Sequence, residues 1–345
     1  MKMIYVGSLA NKPDRDSGWI REFSKLGWDV IPFSSDCDSI AIGVIDKVKR
    51  RLHIGKKNRD MQIALLSLIS TVSPDWVHFR LPIDFDRRTI LSIKKNVPVV
   101  TQYFNDDPFS CISPIGLNWK FKRALTAYDA HFVYRSHNIP RYLKAGATVV
   151  EHCPPTYDPN RHFLGKRNEN HNFIADAAFI GHWENDNRVQ YLEALYKYGI
   201  KIIIKGGMWD RALSSCTLQE ILPIDHAFGD EYNYIYSNVA AGLCFFSKIN
   251  NDFWTERALE IIAVGGLLVC ERTKEAESYF VDGEEAYFFS SVEELIEIIN
   301  ELKNNSKKRE QVCEAGYKRL LSGNHSIHDR AKMVAQFAQS KIELT

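Results

Sequence analysis

The sequence predicts an α/β protein built on parallel sheets, and three observations carry that expectation. The chain has 345 residues, which at about 150 residues per domain makes two domains, each long enough to bury its own core. Short β-rich runs alternate with helix-length amphipathic runs, the pattern of βα units rather than of a sandwich or a bundle. The alternation breaks once, over residues 149–167, where Pro154, Pro155 and Pro159 with Asp158 and Asn160 exclude regular structure. The expected organisation is two Rossmann-like domains: 1–155, a linker over 156–171, 172–325, and a last helix over 326–345.

In the first half, Met3–Val6 reads as a strand, Gly7–Ser17 as a polar loop, Gly18–Leu26 as a helix stopped by Gly27, and Trp28–Phe33 as a second strand. A helix over Lys57–Ser70 leads to the strand Trp76–Phe79. Asp86–Lys95 follows as helix, Val97–Tyr103 as strand, Trp119–Thr126 as helix and Ala130–Tyr134 as strand, with Val149–His152 a short last one. After the break come the strand Ala177–Ile180, the loop Gly181–Asn187, the helix Arg188–Tyr198 and the strand Lys201–Ile204, which closes on Gly206-Gly207. Val239–Phe246 and Leu267–Cys270 are strands around the helix Thr255–Ala263, and Val292–Lys303 and Lys307–Leu321 are helices.

Composition narrows the function classes. Lys+Arg number 44 against 43 Asp+Glu, a net charge of +1, so the whole molecule has no electrostatic preference for nucleic acid or a membrane. No run approaches the roughly 18 apolar residues of a membrane span. Seven cysteines without a C-x-x-C pair read as reduced core thiols in a cytoplasmic protein. The start, MKMIYVGSL, reads as a strand rather than a signal peptide. The one local asymmetry is Lys47–Lys57, seven basic residues in eleven. It is a solvated face, a docking patch for anionic lipid or a lipid-linked acceptor at the membrane's inner face, or, least favoured, a nucleic-acid contact.

The densest information lies between Asn251 and Gly283. A helix carrying Arg257 and Glu260 ends at Ala263, Gly265 and Gly266; a buried strand ends in Glu271; then Phe280, Gly283 and Glu285 form a turn. A helix carboxylate such as Glu260 can accept hydrogen bonds from both hydroxyls of a ribose, although a surface acid explains it as well. A leaving diphosphate needs cations and backbone donors at a helix start, for which Arg188, opening a helix after Gly181 and His182, and Arg257 are candidates. The Gly206-Gly207-Met208-Trp209 turn at a strand's carboxyl end can bring backbone and ring against a base.

These ordered residues, with FIGHWENDNR and IIIKGGMWD before them, resemble the nucleotide-sugar domain of group 1 GT-B glycosyltransferases, and more narrowly the CgeB-like branch. The resemblance covers most of residues 175–330. It implies two domains facing a central cleft, a nucleotide-sugar donor held by the second domain and a glycan, lipid-linked or other hydroxyl acceptor presented by the first. It also implies a last helix packing back on the first domain, and no metal or further cofactor. Asp252 stands where the family has the first acid of E-x7-E.

In the first domain, Gly7 and Ser8 follow the first strand, where the resemblance places the substrate near the backbone. Pro74–Arg80 is similar to the D-x-V-H-x-H strand end of such enzymes, with His78 at the first histidine and Arg80 at the second. A cleft Arg80 suits an anionic sugar or acceptor; a core role suits His78 equally. Asp106 and Asp107, fixed by Pro108, resemble the family's D-D-P strand end and offer a general base, or a helix cap or Asx turn. The catalytic candidates are thus Asp106, Asp107, His78 and Arg188. The absence of G-x-G-x-x-G argues against a dinucleotide oxidoreductase, and Asp36-Cys37-Asp38 is discounted as a metal motif. The alternatives are a binding or scaffold protein that kept the pocket, and a nucleotide-sugar epimerase of the same fold.

Overall fold

The computed structural model describes residues 1–9, 13–36, 48–49, 52–110, 118–166, 173–212 and 222–344. Lys47, Arg50 and Arg51 of the basic run, Cys37 and Asp38, and 167–172 at the end of the expected linker lie outside the described residues. The chain divides into two compact units, Met1–Pro154 with Ile327–Thr345, and Pro155–Ser326.

The first unit holds a parallel sheet of six strands among the described residues: β1 (Lys2–Gly7), β2 (Asp29–Ser34), β3 (Trp76–Arg80), β4 (Val99–Phe104), β5 (Ala130–Val133) and β6 (Val150–His152), in the order β2-β1-β3-β4-β5-β6. Helices α1 (Pro13–Lys25), α2 (Lys56–Val72), α3 (Arg87–Ile93), α4 (Trp119–Ala124) and α5 (Ile139–Lys144) cover it. Because both faces are covered, the central strands are continuously buried. Side chains alternate between two clusters: Met3, Tyr5 and Trp76 pack with Trp19, Phe23 and Trp28, while Ile4, Val6, Val77 and Phe79 pack with Leu65 and Ile90. The helix expected from Gly18 begins at Pro13 instead. Proline suits a first helical turn, where its missing N–H has no partner to lose.

The last helix, α12 (Ile327–Ile342), belongs to this unit: Ile327, Ala331, Val334 and Ala338 sit in the cluster of Met3, Tyr5 and Trp19. Arg330 Nε donates to Pro154 O at 3.1 Å, and His328 Nδ1 lies 3.0 Å from Glu22.

The second unit holds a parallel sheet of five strands among the described residues, ordered β11-β10-β9-β7-β8, from β7 (Ala175–Ile180), β8 (Ile202–Lys205), β9 (Val239–Cys244), β10 (Leu268–Glu271) and β11 (Tyr287–Phe289). Its helices are α6 (Arg188–Lys197), α7 (Gly229–Ser237), α8 (Glu256–Ala263), α9 (Lys274–Tyr279), α10 (Val292–Asn304) and α11 (Ser306–Ser322). The inner strands carry small residues, ADAAFI and VAAGLC, which let α8 lie close: a Cβ on Gly242 would stand 2.7 Å from Ile261 Cγ2.

Two histidines are built into the first sheet. His78 lies fully buried among Tyr5, Trp19, Phe23 and Trp76, with Nδ1 2.9 Å from Thr101 Oγ1 and Nε2 without a partner. Burial, aided by the Arg80 charge, lowers its pKa to about 3. His131 is bracketed by Gln102 Nε2 and Leu125 O, each at 2.9 Å, and burial lowers its pKa to about 4 against that carbonyl bond. Both are neutral when folded but titrate near 6.5 when unfolded, so the unfolded chain takes up the protons. Stability is therefore full above about pH 6.5 and falls with acidification, by up to about 1.4 kcal/mol per pH unit for each histidine. Unfolding free energies measured from pH 7.5 to 5 should show that slope, and His78→Gln, which keeps an acceptor but does not titrate, should make it shallower; an unchanged slope would refute the role of His78.

Candidate functional site

At the carboxyl end of the first sheet the polar groups answer one another. Tyr5 Oη donates to Asp16 Oδ1 at 2.8 Å, and Arg80 Nη1 donates to the same oxygen at 2.5 Å. Gly7 passes beside this pair, where a Cβ would stand 2.7 Å from Asp16 Oδ2. Ser8 Oγ donates to Asp36 Oδ1 at 2.6 Å. Arg80 is thus neutralised by Asp16, which corrects the expectation of a cation open to an anionic substrate. His78 is likewise corrected from a catalytic to a packing group, since it is fully enclosed. Asp107 is also enclosed; its Oδ1 accepts from Phe109 N at 2.9 Å and Arg141 stands 3.6 Å away, so it ties an Asx turn. Burial removes it as a general base, and of the two acids only Asp106 faces solvent.

The second unit gathers its candidates at the carboxyl ends of β7, β8, β9 and β10. Gly181 and Gly206 meet backbone to backbone: Gly181 N donates to Lys205 O at 2.8 Å, and a Cβ on Gly206 would stand 2.1 Å from Gly181 O. Gly206 also has φ +131°, which favours glycine. Trp209 Nε1 donates to Gly181 O at 3.0 Å and its ring packs edge-on against Phe179. It is buried, fastens the two loops and also lines the depression beside this turn. Gly207 N donates to His182 Nδ1 at 3.1 Å, and the His182 ring stands 5.9 Å from that of His226. Beside this turn lies an open depression of about 460 Å³ lined by Gly207, Met208, Leu222, Ile224 and His226.

Two guanidinium groups lie over the Phe179 ring, Arg188 at 5.8 Å and Arg257 at 5.5 Å. Arg188 is buried and fully engaged: Nε and Nη2 donate to Asp186 at 2.7 Å each, Nη1 donates to His182 O at 2.6 Å, and Glu184 stands 3.3 Å away. It shapes the loop after β7, a correction to its expected place as a catalytic cation. Arg257 has no such set. Its Nη1 would stand 3.0 Å from a Cβ on Gly181, and its Nε is buried without a hydrogen-bond partner. Burial opposes its charge, but Tyr236, Tyr232, Cys244 and Glu260 hold it protonated.

Arg257 and Glu260 share one face of α8, three residues apart. The helix opens at Thr255, whose side chain accepts from Arg257 N at 3.3 Å. Glu260 is half-buried: Oε2 accepts from Tyr232 Oη at 2.8 Å, and His162 Nε2 stands 3.6 Å from Oε1. Burial would raise its pKa, yet His162, Arg257, the Tyr232 hydroxyl and Arg161 together hold it below the usual value. Glu260 is therefore a carboxylate at neutral pH.

Three further candidates serve the backbone. Gly265, at φ +81°, ends α8, and a Cβ on Gly266 would stand 2.8 Å from Tyr236 O; both are buried. Glu271 Oε2 accepts from Phe246 N at 2.5 Å and Oε1 lies 3.2 Å from Lys248 Nζ, so it caps the turn after β9. Sequence reasoning missed Tyr232, His162 and the pairing of Asp16. Tyr232 and Tyr236 do carry a signal, the four-residue spacing of a helix face; His162 carries none.

Residues 188–336 match the family described as Glycosyl transferase-like. No curated protein matches the chain in sequence. Among solved structures the chain is similar to a sucrose-phosphate synthase from Thermosynechococcus elongatus, with TM-score 0.72, 12% identity and 100% of each chain covered. It is also similar to Anabaena HepE in complex with UDP-glucose, with TM-score 0.66, 10% identity, and 99% of this chain and 100% of that one covered. A glycosyltransferase from Rickettsia africae gives TM-score 0.64 at 11% identity, covering 100% of this chain and 99% of that one. These likenesses establish the fold, two parallel-sheet α/β domains of the GT-B type.

The meeting of Gly181 and Gly206 can be checked by substitution. Gly206→Ala should lower the melting temperature more than Gly55→Ala, whose φ of +112° lies nearer and whose Cβ would meet only Lys49 Cδ, at 3.8 Å. The added cost is that of overpacking, about 1–3 kcal/mol. Equal losses would refute the close approach.

Proposed function

We propose that the chain is a metal-independent GT-B glycosyltransferase of the CgeB-like branch, moving a sugar from a nucleotide-sugar donor to a hydroxyl of a glycan or lipid-linked acceptor. The observation that carries this reading is Arg257, a cation whose Nε is buried without a hydrogen-bond partner, one helical turn from the carboxylate of Glu260 at the carboxyl end of a parallel sheet. Such an unanswered charge suits a diphosphate, and an ionised carboxylate beside it suits a ribose diol.

In this reading the ribose hydroxyls donate to Glu260, and the diphosphate lies against Arg257 and the amino end of α8. The base enters the depression by Gly207 and His226. As the glycosidic bond breaks, negative charge grows on the diphosphate while the sugar becomes oxocarbenium-like. Arg257 is the cation placed to meet that charge, so in this reading it stabilises the transition state more than the ground state. Asp106 is the acid proposed to take the acceptor's proton. A cytoplasmic setting, with Lys47–Lys57 as a membrane contact, fits a lipid-linked acceptor.

The first test is a thermal-shift screen against UDP, GDP, dTDP, CMP and their sugars. A ligand at 100 times its Kd stabilises by about 2.7 kcal/mol. One nucleotide family should raise the melting temperature, and Glu260→Ala and Arg257→Gln should each remove most of that shift, read against each variant's own ligand-free melt. A shift that survives both substitutions would sink the donor reading.

EDTA should leave transfer to acceptor unchanged. Formation of a sugar epimerised at a ring carbon, without any acceptor, would point to the epimerase instead.

A further inference from the structure

The segment from Asp158 to Lys166 lies along α7 and α8 as a strap within the second unit. Asn233 Nδ2 donates to Arg161 O at 2.9 Å, Gly165 N to Val264 O at 3.1 Å, and Asn238 Nδ2 to Lys166 O at 2.8 Å. Gly165 permits the close approach, since a Cβ there would stand 2.3 Å from Ser237 Oγ and 2.6 Å from Asn233 O. Asp158 O accepts from both Arg161 N and His162 N, at 2.9 and 2.8 Å, and the turn so made directs His162 inward.

His162 is buried; its Nδ1 has no hydrogen-bond partner and its Nε2 faces Glu260 Oε1 at 3.6 Å. That distance is too long for a hydrogen bond. The other carboxylate oxygen takes the Tyr232 hydroxyl at 2.8 Å. The Tyr232 ring stands between those of His162, at 5.7 Å, and Tyr236, at 4.9 Å, and Tyr236 Oη accepts from Ile180 N at 2.9 Å. The Glu260 side chain is thereby connected through two buried rings to the last residue of β7.

We infer that Tyr232 and His162 are positioning residues that hold Glu260 ready for a ribose diol, so that the strap and α7 together set a preference for ribonucleotides over their 2′,3′-dideoxy forms. The inference rests on the donor reading of Glu260. A carboxylate offers about four acceptor positions. Tyr232 uses one and His162 walls off the side of the other oxygen, which leaves the outward positions for two hydroxyls. A carboxylate fixed before the ligand arrives has no side-chain freedom left to lose on binding.

The test compares dissociation constants of UDP and GDP with those of 2′,3′-dideoxy-UDP and 2′,3′-dideoxy-GDP, on the full chain and on folded variants. The wild type should prefer one ribonucleotide over its dideoxy form by about tenfold or more, as befits hydrogen bonds to a charged group. Glu260→Ala should erase the preference. Tyr232→Phe and His162→Gln should each shrink it by roughly threefold or more while leaving affinity for the dideoxy form unchanged. Substitutions at Tyr232 and His162 that weaken both forms alike, or that leave the ratio intact while Glu260→Ala erases it, would overturn the inference and spare the donor reading. No preference in the wild type, or a preference that survives Glu260→Ala, would overturn both.

Discussion

Both sheets are parallel and covered on both faces, and that constraint governs where chemistry can occur. A strand buried on two sides has no water to satisfy a polar side chain, so polar groups inside the sheets must be neutral and paired. In the first sheet His78 is hydrogen-bonded to Thr101 and Gln102 to His131 from strand to strand, while His78 Nε2 and Gln102 Oε1 stay without a partner. Charged groups are driven to the carboxyl ends of the strands, where loops and helix starts can meet them. What distinguishes the two units is how those charges are settled.

In the first unit they are settled internally. Asp16 answers Arg80, Asp36 takes Ser8, and Arg135 donates to Asn105 O at 2.7 Å. In the second unit the loop after β7 consumes one arginine in building itself and leaves the other turned toward a glycine. Phe179 makes that arrangement tolerable, because its face attracts both guanidinium groups while Asp186 and Glu184 balance only Arg188. The same economy recurs at Glu260, whose charge is supported from behind by Tyr232 and His162 and left open in front.

The alternation of strands and helices was legible because hydrophobic periodicity survives burial, and the glycines at 181, 206, 265 and 266 were legible as turns. Their reasons were not: Gly206 is required by the Gly181 carbonyl, 25 residues away in the chain, and nothing local announces that. Arg188 and Arg257 look alike in sequence, and only the acids folded around Arg188 separate them. From sequence, residues 229–237 are assigned no element, and tyrosines at 232, 234 and 236 alternate there as in a strand. In the fold Tyr232 and Tyr236 are buried while Tyr234 is 39% exposed, which is the helical pattern. That oversight hid the hydrogen-bond partner of Glu260. His162 was hidden differently, in a proline-rich stretch that reads as a connector and proves to be bedded on two helices.

The return of α12 to the first sheet has a consequence for synthesis. Met3, Tyr5 and Trp19 leave the ribosome well before the side chains that complete their cluster, from Ile327 to Ala338. Until then one apolar face of the early half stands uncovered, while the residues of the second unit have already emerged and can close their own core. The second unit can therefore close before the first, and the first is the part that needs protection from aggregation during translation.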